Sequence, residues 1–145
     1  MEETYISTSY EETREIAEKI ASILERGTTI CLYGDLAAGK TTFSQGIGKY
    51  FGIDRVVSPT FIIMRQYPVA NHPTIKTFYH LDLYRLNSVE EIRAFDIEEI
   101  WSDPSNILII EWPEKLADIL PQKRFDIFFK ANGENERVIK IIEHK

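Results

Sequence analysis

The chain has 145 residues, of which 43% are hydrophobic and 28% are charged, and its formal net charge is −6. These values predict a single globular domain over residues 1–145, and they disfavour a protein whose main task is to bind a nucleic-acid backbone. The one cysteine, Cys31, excludes an internal disulfide framework and a cysteine-based zinc site. The first residues are acidic, and no apolar run approaches the roughly 20 residues of a membrane span, so we expect a cytoplasmic protein.

The first part of the chain has the pattern of a helix followed by a strand and a second helix. Ser9 and Glu12 have the spacing of a capping box, and apolar residues follow at helical intervals. Gly27 is expected to end this first helix. Residues 28–33 form a short β-prone run in which Cys31 is expected to be buried, and residues 42–51 have helical character.

The middle of the chain predicts an antiparallel pair of strands and a further helix. Two β-prone runs, residues 61–67 and 75–81, are joined by a segment of turn composition. Ser88 and Glu91 have a second capping-box spacing, which predicts a helix that runs to about Trp101.

The last part of the chain completes the pattern of an α/β protein. Residues 106–111 form a buried-strand run that ends in a carboxylate, and a short helix is expected between residues 113 and 120. Residues 124–130 and 137–143 flank Asn132-Gly133 and predict a hairpin. We therefore predict an α/β fold: a single P-loop NTPase-like domain of three layers, with a mixed sheet and antiparallel additions.

Residues 34–41 read G-D-L-A-A-G-K-T and match the phosphate-binding loop G-x-x-x-x-G-K-[ST]. The loop lies between a predicted strand and a predicted helix, where its backbone N–H groups and the helix dipole favour an anion. Lys40 is expected to contact the β- and γ-phosphates, and the Thr41 hydroxyl is expected to bind Mg²⁺. The acid of Asp35 is expected to point away from the phosphates. The candidate nucleotide-contacting residues of this segment are Asp35, Leu36, Ala37, Ala38, Gly39, Lys40, Thr41 and Thr42.

Two acidic residues are candidates for the chemistry of hydrolysis. Glu111 and Asp82 each follow a predicted strand, and in open α/β sheets such strand ends meet beside the phosphate loop. One is expected in the Mg²⁺ shell and the other near the attacking water, and the sequence does not say which. Thr60, in Ser-Pro-Thr-Phe, either resembles a switch-loop hydroxyl that contacts Mg²⁺ and the γ-phosphate or belongs to a simple proline turn. The Trp112 side chain is expected either to form one wall of the site or to pack in the core.

Metal chemistry based on histidine is not expected. His72 and His80 have no partners at ligand spacing, so the sequence gives no sign of a zinc site.

Four segments together resemble one family. They are the loop 34–42, S-P-T-F at residues 58–61, H-L-D-L-Y-R at residues 80–85 and I-E-W-P at residues 110–113. In this order and spacing they resemble the TsaE (YjeE) family, the bacterial ATPases of threonylcarbamoyladenosine formation in tRNA. The resemblance extends from about Thr13 to Arg137, with one departure: Ala37 replaces the second glycine of the loop.

The resemblance implies slow ATP hydrolysis in a complex with the TsaD and TsaB proteins, which transfer the threonylcarbamoyl group, so that tRNA is contacted only indirectly. It also implies that Thr41 and Glu111 lie around Mg²⁺, with Asp82 supporting Mg²⁺ or the hydrolytic water. Thr13 and Arg137 match positions near the base or ribose of the nucleotide.

Two other classes of nucleotide-binding protein fit the sequence less well. A P-loop small-molecule kinase is the main alternative, but no run of clustered arginines suggests a lid over the phosphates. A regulatory GTPase ordinarily carries an N-K-x-D element that reads guanine, and this sequence contains none.

Overall fold

The computed structural model describes residues 1–35, 39–116 and 118–145. The described residues form seven strands, four α-helices and one 3₁₀ helix. In chain order these are β1 (Glu2–Ser7), α1 (Tyr10–Ser22), β2 (Thr29–Tyr33), α2 (Lys40–Tyr50), β3 (Met64–Pro68), β4 (Thr77–Asp82), α3 (Val89–Arg93), α4 (Ile97–Ser102), β5 (Asn106–Glu111), the 3₁₀ helix (Pro113–Leu116), β6 (Arg124–Ala131) and β7 (Arg137–His144).

The strands form one mixed sheet in the order β1-β7-β6-β2-β5-β4-β3. The four central strands β6, β2, β5 and β4 are parallel to one another, and β7, β1 and β3 pair antiparallel with their neighbours. The predicted pair of strands in the middle of the chain and the predicted C-terminal hairpin are both confirmed. β1 was not predicted, because its polar, acid-rich sequence lies at an exposed edge of the sheet.

Helices cover both faces of the sheet. On one face α1 and α2 pack with Ile20, Phe43 and Ile47 against a core that includes Ile107 and Ile109 of β5. On the other face α3, α4 and the 3₁₀ helix pack against a core that includes Leu108 and Ile110. Because successive strand residues face opposite sides, a strand covered on both faces is apolar throughout. The predicted three-layer α/β fold with a mixed sheet is confirmed.

The predicted end of the first helix at Gly27 is wrong. α1 ends at Ser22, and Ile23 forms its C-cap. Gly27 instead donates its N–H to the carbonyl of Pro104 at 2.6 Å. A Cβ on Gly27 would lie 2.1 Å from the Asn106 carbonyl oxygen, so this position needs glycine because two segments of backbone approach closely.

The start of α1 matches the capping-box prediction in part. The Ser9 side chain accepts a hydrogen bond from the Glu12 N–H at 3.1 Å. The Glu12 carboxylate accepts from the Thr8 N–H at 2.7 Å, one residue before the position that a capping box uses. The side chains still satisfy two backbone donors near the start of the helix.

The predicted helix from Ser88 to about Trp101 is two short helices, so that prediction is wrong. α3 and α4 are separated by Asp96, whose φ of 58° lies in the left-handed region that Asp tolerates better than most residues. Ile92 and Ile97 are both fully buried. Residues five apart lie about 140° apart around a continuous helix, so the break allows both side chains to enter the core. None of the described helices has the length and apolar character that crossing a membrane requires.

Candidate functional site

The site lies at the carboxyl ends of the central parallel strands. β2 leads into the phosphate loop, and its Leu32 pairs with Glu111, the last residue of β5. Glu111 pairs in turn with Asp82, the last residue of β4. The structure thus brings the two predicted acids side by side on neighbouring strands, and Glu111 lies on the strand next to β2.

The described part of the loop has the backbone geometry of a helix start. Gly39 is the N-cap of α2 and has a φ of 100°, which a residue with a side chain rarely adopts. Asp35 is exposed at the entry to the loop. Leu36, Ala37 and Ala38 lie outside the described residues, so the predictions for them, including the effect of alanine at position 37, remain predictions.

Lys40, the first residue of α2, is only 3% exposed. Its Nζ lies 4.3 Å from the centroid of the Trp112 ring, within the range of a cation–π interaction. Trp112 has a φ of 60° immediately after Glu111, and its ring also lies 5.1 Å from that of Tyr84. Trp112 therefore does both things that the sequence left open: it contacts Lys40 in the site and packs against the core beside β5.

Glu111 is paired with a histidine that the sequence analysis did not assign to the site. Nε2 of His80 lies 2.7 Å from Oε2 of Glu111, and both residues are buried. The signal in the sequence was the alternation H-x-D at residues 80–82, which places His80 and Asp82 on the same face of a strand. Recognising the contact with Glu111 also required the register between β4 and β5.

Asp82 holds the segment that precedes β3 and the turn that follows β4. Its Oδ2 accepts from the Thr60 hydroxyl at 2.9 Å, and its Oδ1 accepts from the Tyr84 N–H at 3.0 Å. Asp82 is 6% exposed. The Thr60 hydroxyl thus contacts one of the two candidate acids, and its role as a switch-loop group stays a prediction.

A cavity of about 500 Å³ opens beside the start of α2. Three segments line it: the N-terminal region of α1, the first turn of α2 and the loop between β6 and β7. It brings together six residues that the sequence assigned to the nucleotide: Thr13, Gly39, Lys40, Thr41, Thr42 and Arg137. Neither Glu111 nor Asp82 is among its lining residues. The link between the cavity and the acids is Lys40, which lines the cavity and contacts Trp112, the residue after Glu111.

Residues that line the cavity make hydrogen bonds to their neighbours and carry charges of both signs. Thr13 is 3% exposed, and its hydroxyl lies 2.7 Å from that of Ser7. Arg137 donates to the Glu136 carbonyl at 3.1 Å. Lys40 and Arg137 contribute positive charge to the lining, and Glu11 and Glu134 contribute negative charge.

Among the described residues there is no group of three His, Cys, Asp or Glu side chains that could hold a metal ion. Mg²⁺ is commonly bound by one or two protein oxygens together with phosphate oxygens and water. The acid at the end of β5 and a hydroxyl at the start of α2 suit that mode of binding.

Residues 7–139 match the family model described as "Threonylcarbamoyl adenosine biosynthesis protein TsaE". The chain belongs to the TsaE family. The resemblance drawn from the four sequence segments is thus confirmed, and so is the assignment to a family that functions in the biosynthesis of threonylcarbamoyladenosine in tRNA.

Individual TsaE proteins are similar to this chain over most of their length. The chain is 38% identical to the "tRNA threonylcarbamoyladenosine biosynthesis protein TsaE" of Rickettsia conorii over 140 residues, covering 94% of this chain and 77% of that protein. It is 36% identical to the protein of the same name from Bacillus subtilis over 130 residues, covering 89% and 78%. The crystal structure of Bacillus subtilis YdiB superimposes with a TM-score of 0.78 at 30% identity, covering 100% of this chain and 87% of that one.

Proposed function

We propose that this member of the TsaE family is a Mg²⁺-dependent ATPase that supports the turnover of a TsaB–TsaD transferase during formation of the threonylcarbamoyl group on tRNA adenosine. The observation that carries the proposal is the pairing of Asp82 with Glu111 at the ends of adjacent strands, next to the strand that leads into the phosphate loop. Phosphate binding requires only the loop, whereas hydrolysis also requires carboxylates beside it.

The start of α2 supplies the groups that bind phosphate. Gly39 and the residues after it present the N-terminus of an eleven-residue helix, where free N–H groups and the helix dipole favour an anion. Lys40 adds a full positive charge, and its burial strengthens the interaction with phosphate because little water screens it. When ATP binds, Lys40 is expected to leave the Trp112 ring for the phosphate oxygens.

The Thr41 hydroxyl and one Glu111 oxygen are the protein groups that we expect around Mg²⁺. The ion would neutralise charge on the phosphate oxygens and so favour attack by water. The exposed Thr41 side chain lies in the first turn of α2, and Glu111 ends the strand beside the loop. A hydroxyl, a carboxylate and the phosphates of the substrate form an oxygen-rich set of the kind that Mg²⁺ prefers.

Hydrogen bonding favours different roles for the two acids, which the sequence left open. Both oxygens of Asp82 already accept hydrogen bonds, from Thr60 and Tyr84. Glu111 accepts one, from His80 to Oε2, and Oε1 accepts none from the described residues. We therefore assign Glu111 to the metal side of the site and Asp82 to holding the Thr60 segment close to the hydrolytic water.

The cavity beside α2 is the proposed site of the base and ribose. It adjoins the first turn of α2, where the phosphates would lie, and its lining includes Thr13 and Arg137. Its volume of about 500 Å³ is within the ordinary range for small-molecule sites.

The proposal is tested by mixing the purified chain with TsaB and TsaD, with and without ATP, and measuring both co-purification and phosphate release. We expect slow hydrolysis by the isolated chain, and faster hydrolysis when it is bound to TsaB–TsaD. Rapid hydrolysis by the isolated chain that does not change when TsaB and TsaD are added would contradict the proposal. So would tighter binding of GTP than of ATP, or the transfer of phosphate to a metabolite.

A matched pair of variants keeps this experiment specific. Lys40→Ala removes the phosphate-binding charge, whereas Lys49→Ala removes an exposed charge at the other end of the same helix. Only Lys40→Ala should abolish the stimulated ATPase.

A further inference from the structure

We propose that His80 is a positioning residue for Glu111: it fixes one carboxylate oxygen so that the other is presented to the phosphate loop. This inference rests on the proposed ATPase function and deepens it, because it assigns a role to a residue that does not contact the substrate. Its basis is the buried contact of 2.7 Å between Nε2 of His80 and Oε2 of Glu111.

The sheet itself places these two side chains together. His80 of β4 pairs directly with Ile109 of β5, and Glu111 lies two residues further along the same strand. Residues two apart on a strand share a face, so His80 and Glu111 are diagonal neighbours across the β4–β5 pair. A histidine ring has the reach to span that diagonal, and the His80 side chain is fully buried.

The direction of the hydrogen bond follows from the chemistry of the two groups. An ionised carboxylate only accepts hydrogen bonds, so Nε2 carries the proton and donates it to Oε2 of Glu111. Nδ1 is buried and has no hydrogen-bond partner among the described residues. The hydrogen bond to Glu111 is therefore made through Nε2, and Nδ1 makes no second bond to a described residue that would pull the ring away from it.

This contact fixes the carboxylate at the end of the Glu111 side chain. Glu111 has three side-chain torsions, and a carboxylate at the end of a strand would sample several orientations. The hydrogen bond to Oε2 selects one of them, and Oε1 remains without a donor from the described residues. The entropic cost of orienting the carboxylate is met during folding and not in the reaction, which is how a supporting residue raises the rate.

The chain contains a second pair of the same kind that serves as a control. Nε2 of His144 lies 2.7 Å from Oδ2 of Asp126, the same distance as in the His80–Glu111 pair. His144 pairs with Arg124, the first residue of β6, at the end of the strands opposite the phosphate loop. Breaking this pair removes a hydrogen bond of the same length without touching the proposed site, and the His144 side chain is 40% exposed whereas that of His80 is fully buried.

The kinetic test compares His80→Leu, His80→Gln and His144→Leu for kcat, for KM with ATP and for half-saturation by Mg²⁺. We expect His80→Leu to lower kcat about 10- to 100-fold and to raise the Mg²⁺ requirement, with less than about a threefold change in KM. His80→Gln, which keeps an N–H donor of similar reach, should restore most of kcat. His144→Leu should leave all three values unchanged.

A double variant separates positioning from general stabilisation. If His80 acts through Glu111, His80→Leu should have no further effect on hydrolysis in a Glu111→Ala background. Independent, additive losses would overturn the proposal, and so would equal losses in His80→Leu and His80→Gln.

A second measurement needs neither nucleotide nor a folded His80 variant. Long-range ¹H–¹⁵N spectra of the nucleotide-free protein report the protonation of each of the three histidine rings. With His72→Gln and His144→Leu assigning the other two, the remaining ring should carry a proton on Nε2, and its signals should change in Glu111→Ala. A ring with no proton on Nε2, or unaffected by Glu111→Ala, would overturn the proposal. If the wild-type chain hydrolyses no ATP, the proposed function fails, and the spectra alone decide whether His80 holds Glu111.

Discussion

Nζ of Lys40 lies 4.3 Å from the centroid of the Trp112 ring, so the proposed phosphate-binding cation rests on an aromatic face. Because Trp112 directly follows Glu111, this contact joins the start of α2 to the end of β5. A partly desolvated cation–π contact is worth about 1–2 kcal/mol, which is less than a charged hydrogen-bond network with phosphate. We therefore expect ATP to displace Lys40 from the ring.

The displacement of Lys40 should be visible in the fluorescence of Trp112. Adding ATP and Mg²⁺ should change the tryptophan emission, and the change should persist in Trp101→Phe and vanish in Trp112→Phe. Lys40→Met, which removes the charge but keeps most of the chain length, should show an altered spectrum before any nucleotide is added. A nucleotide-dependent change that follows Trp101 would contradict the proposed movement, since Trp101 lines a different cavity from Lys40.

Removal of the Lys40 charge should have its main effect on binding. Lys40→Ala is expected to weaken ATP binding by about 100-fold, because a charge-assisted contact in a poorly screened site is lost. Isothermal titration calorimetry with ATP measures this directly. Lys49→Ala is the control, and an affinity within about twofold of the wild type is expected for it. Similar affinities for the two variants would show that Lys40 does not contact the phosphates.

Much of the fold was predictable because its signals are local. The run at residues 106–111 is apolar throughout, as expected for a strand covered on both faces, and the loop 34–41 is defined by a motif with its own flanking elements. The predicted helix end at Gly27 was wrong because the sequence shows a glycine near the end of a helix and does not show that the Asn106 backbone approaches it. The prediction of one continuous helix across Asp96 was wrong because a single left-handed residue interrupts an otherwise helical pattern.

The site was only partly predictable for a related reason. The acids at positions 82 and 111 were found because a strand end is a local feature. The contact between His80 and Glu111 depends on which strands are neighbours and in which register, and no local pattern carries that information. The cavity likewise lies between α1, α2 and the β6–β7 loop, which are remote from one another in sequence. Thr13 and Arg137 were predicted to contact the nucleotide only because of the family resemblance.

Arg137 should contribute to affinity and not to chemistry. It lies in the cavity beside α2, on the side formed by the β6–β7 loop. Arg137→Ala is therefore expected to raise KM for ATP by about 10-fold and to leave kcat near the wild-type value, the pattern of a contact made equally in the ground and transition states. Steady-state kinetics would check this, with Lys130→Ala, an exposed cation of the same hairpin, as the control. A fall in kcat at saturating ATP would place Arg137 in the reaction.

Cys31 should be chemically inert in the folded protein. Burial raises the pKa of its thiol far above the ordinary range, and the nearby Asp126 carboxylate raises it further. Because the thiolate is the reactive form, the folded chain should resist a thiol reagent from pH 7 to pH 9, where an ordinary thiol becomes reactive. Adding a denaturant should release one reactive thiol per chain. Rapid labelling of the native protein at pH 8 would contradict the buried position in β2.

The two acids should respond differently to magnesium. Oε1 of Glu111 accepts no hydrogen bond from the described residues, whereas both oxygens of Asp82 are occupied by Thr60 and Tyr84. Glu111→Ala should therefore raise the Mg²⁺ concentration for half-maximal hydrolysis at least 10-fold and lower kcat more than it weakens ATP binding. Asp82→Ala should lower kcat while changing the Mg²⁺ requirement less than about threefold, because it releases the Thr60 segment. Titration of Mg²⁺ at fixed ATP separates the two, and a larger shift for Asp82→Ala would exchange the proposed roles.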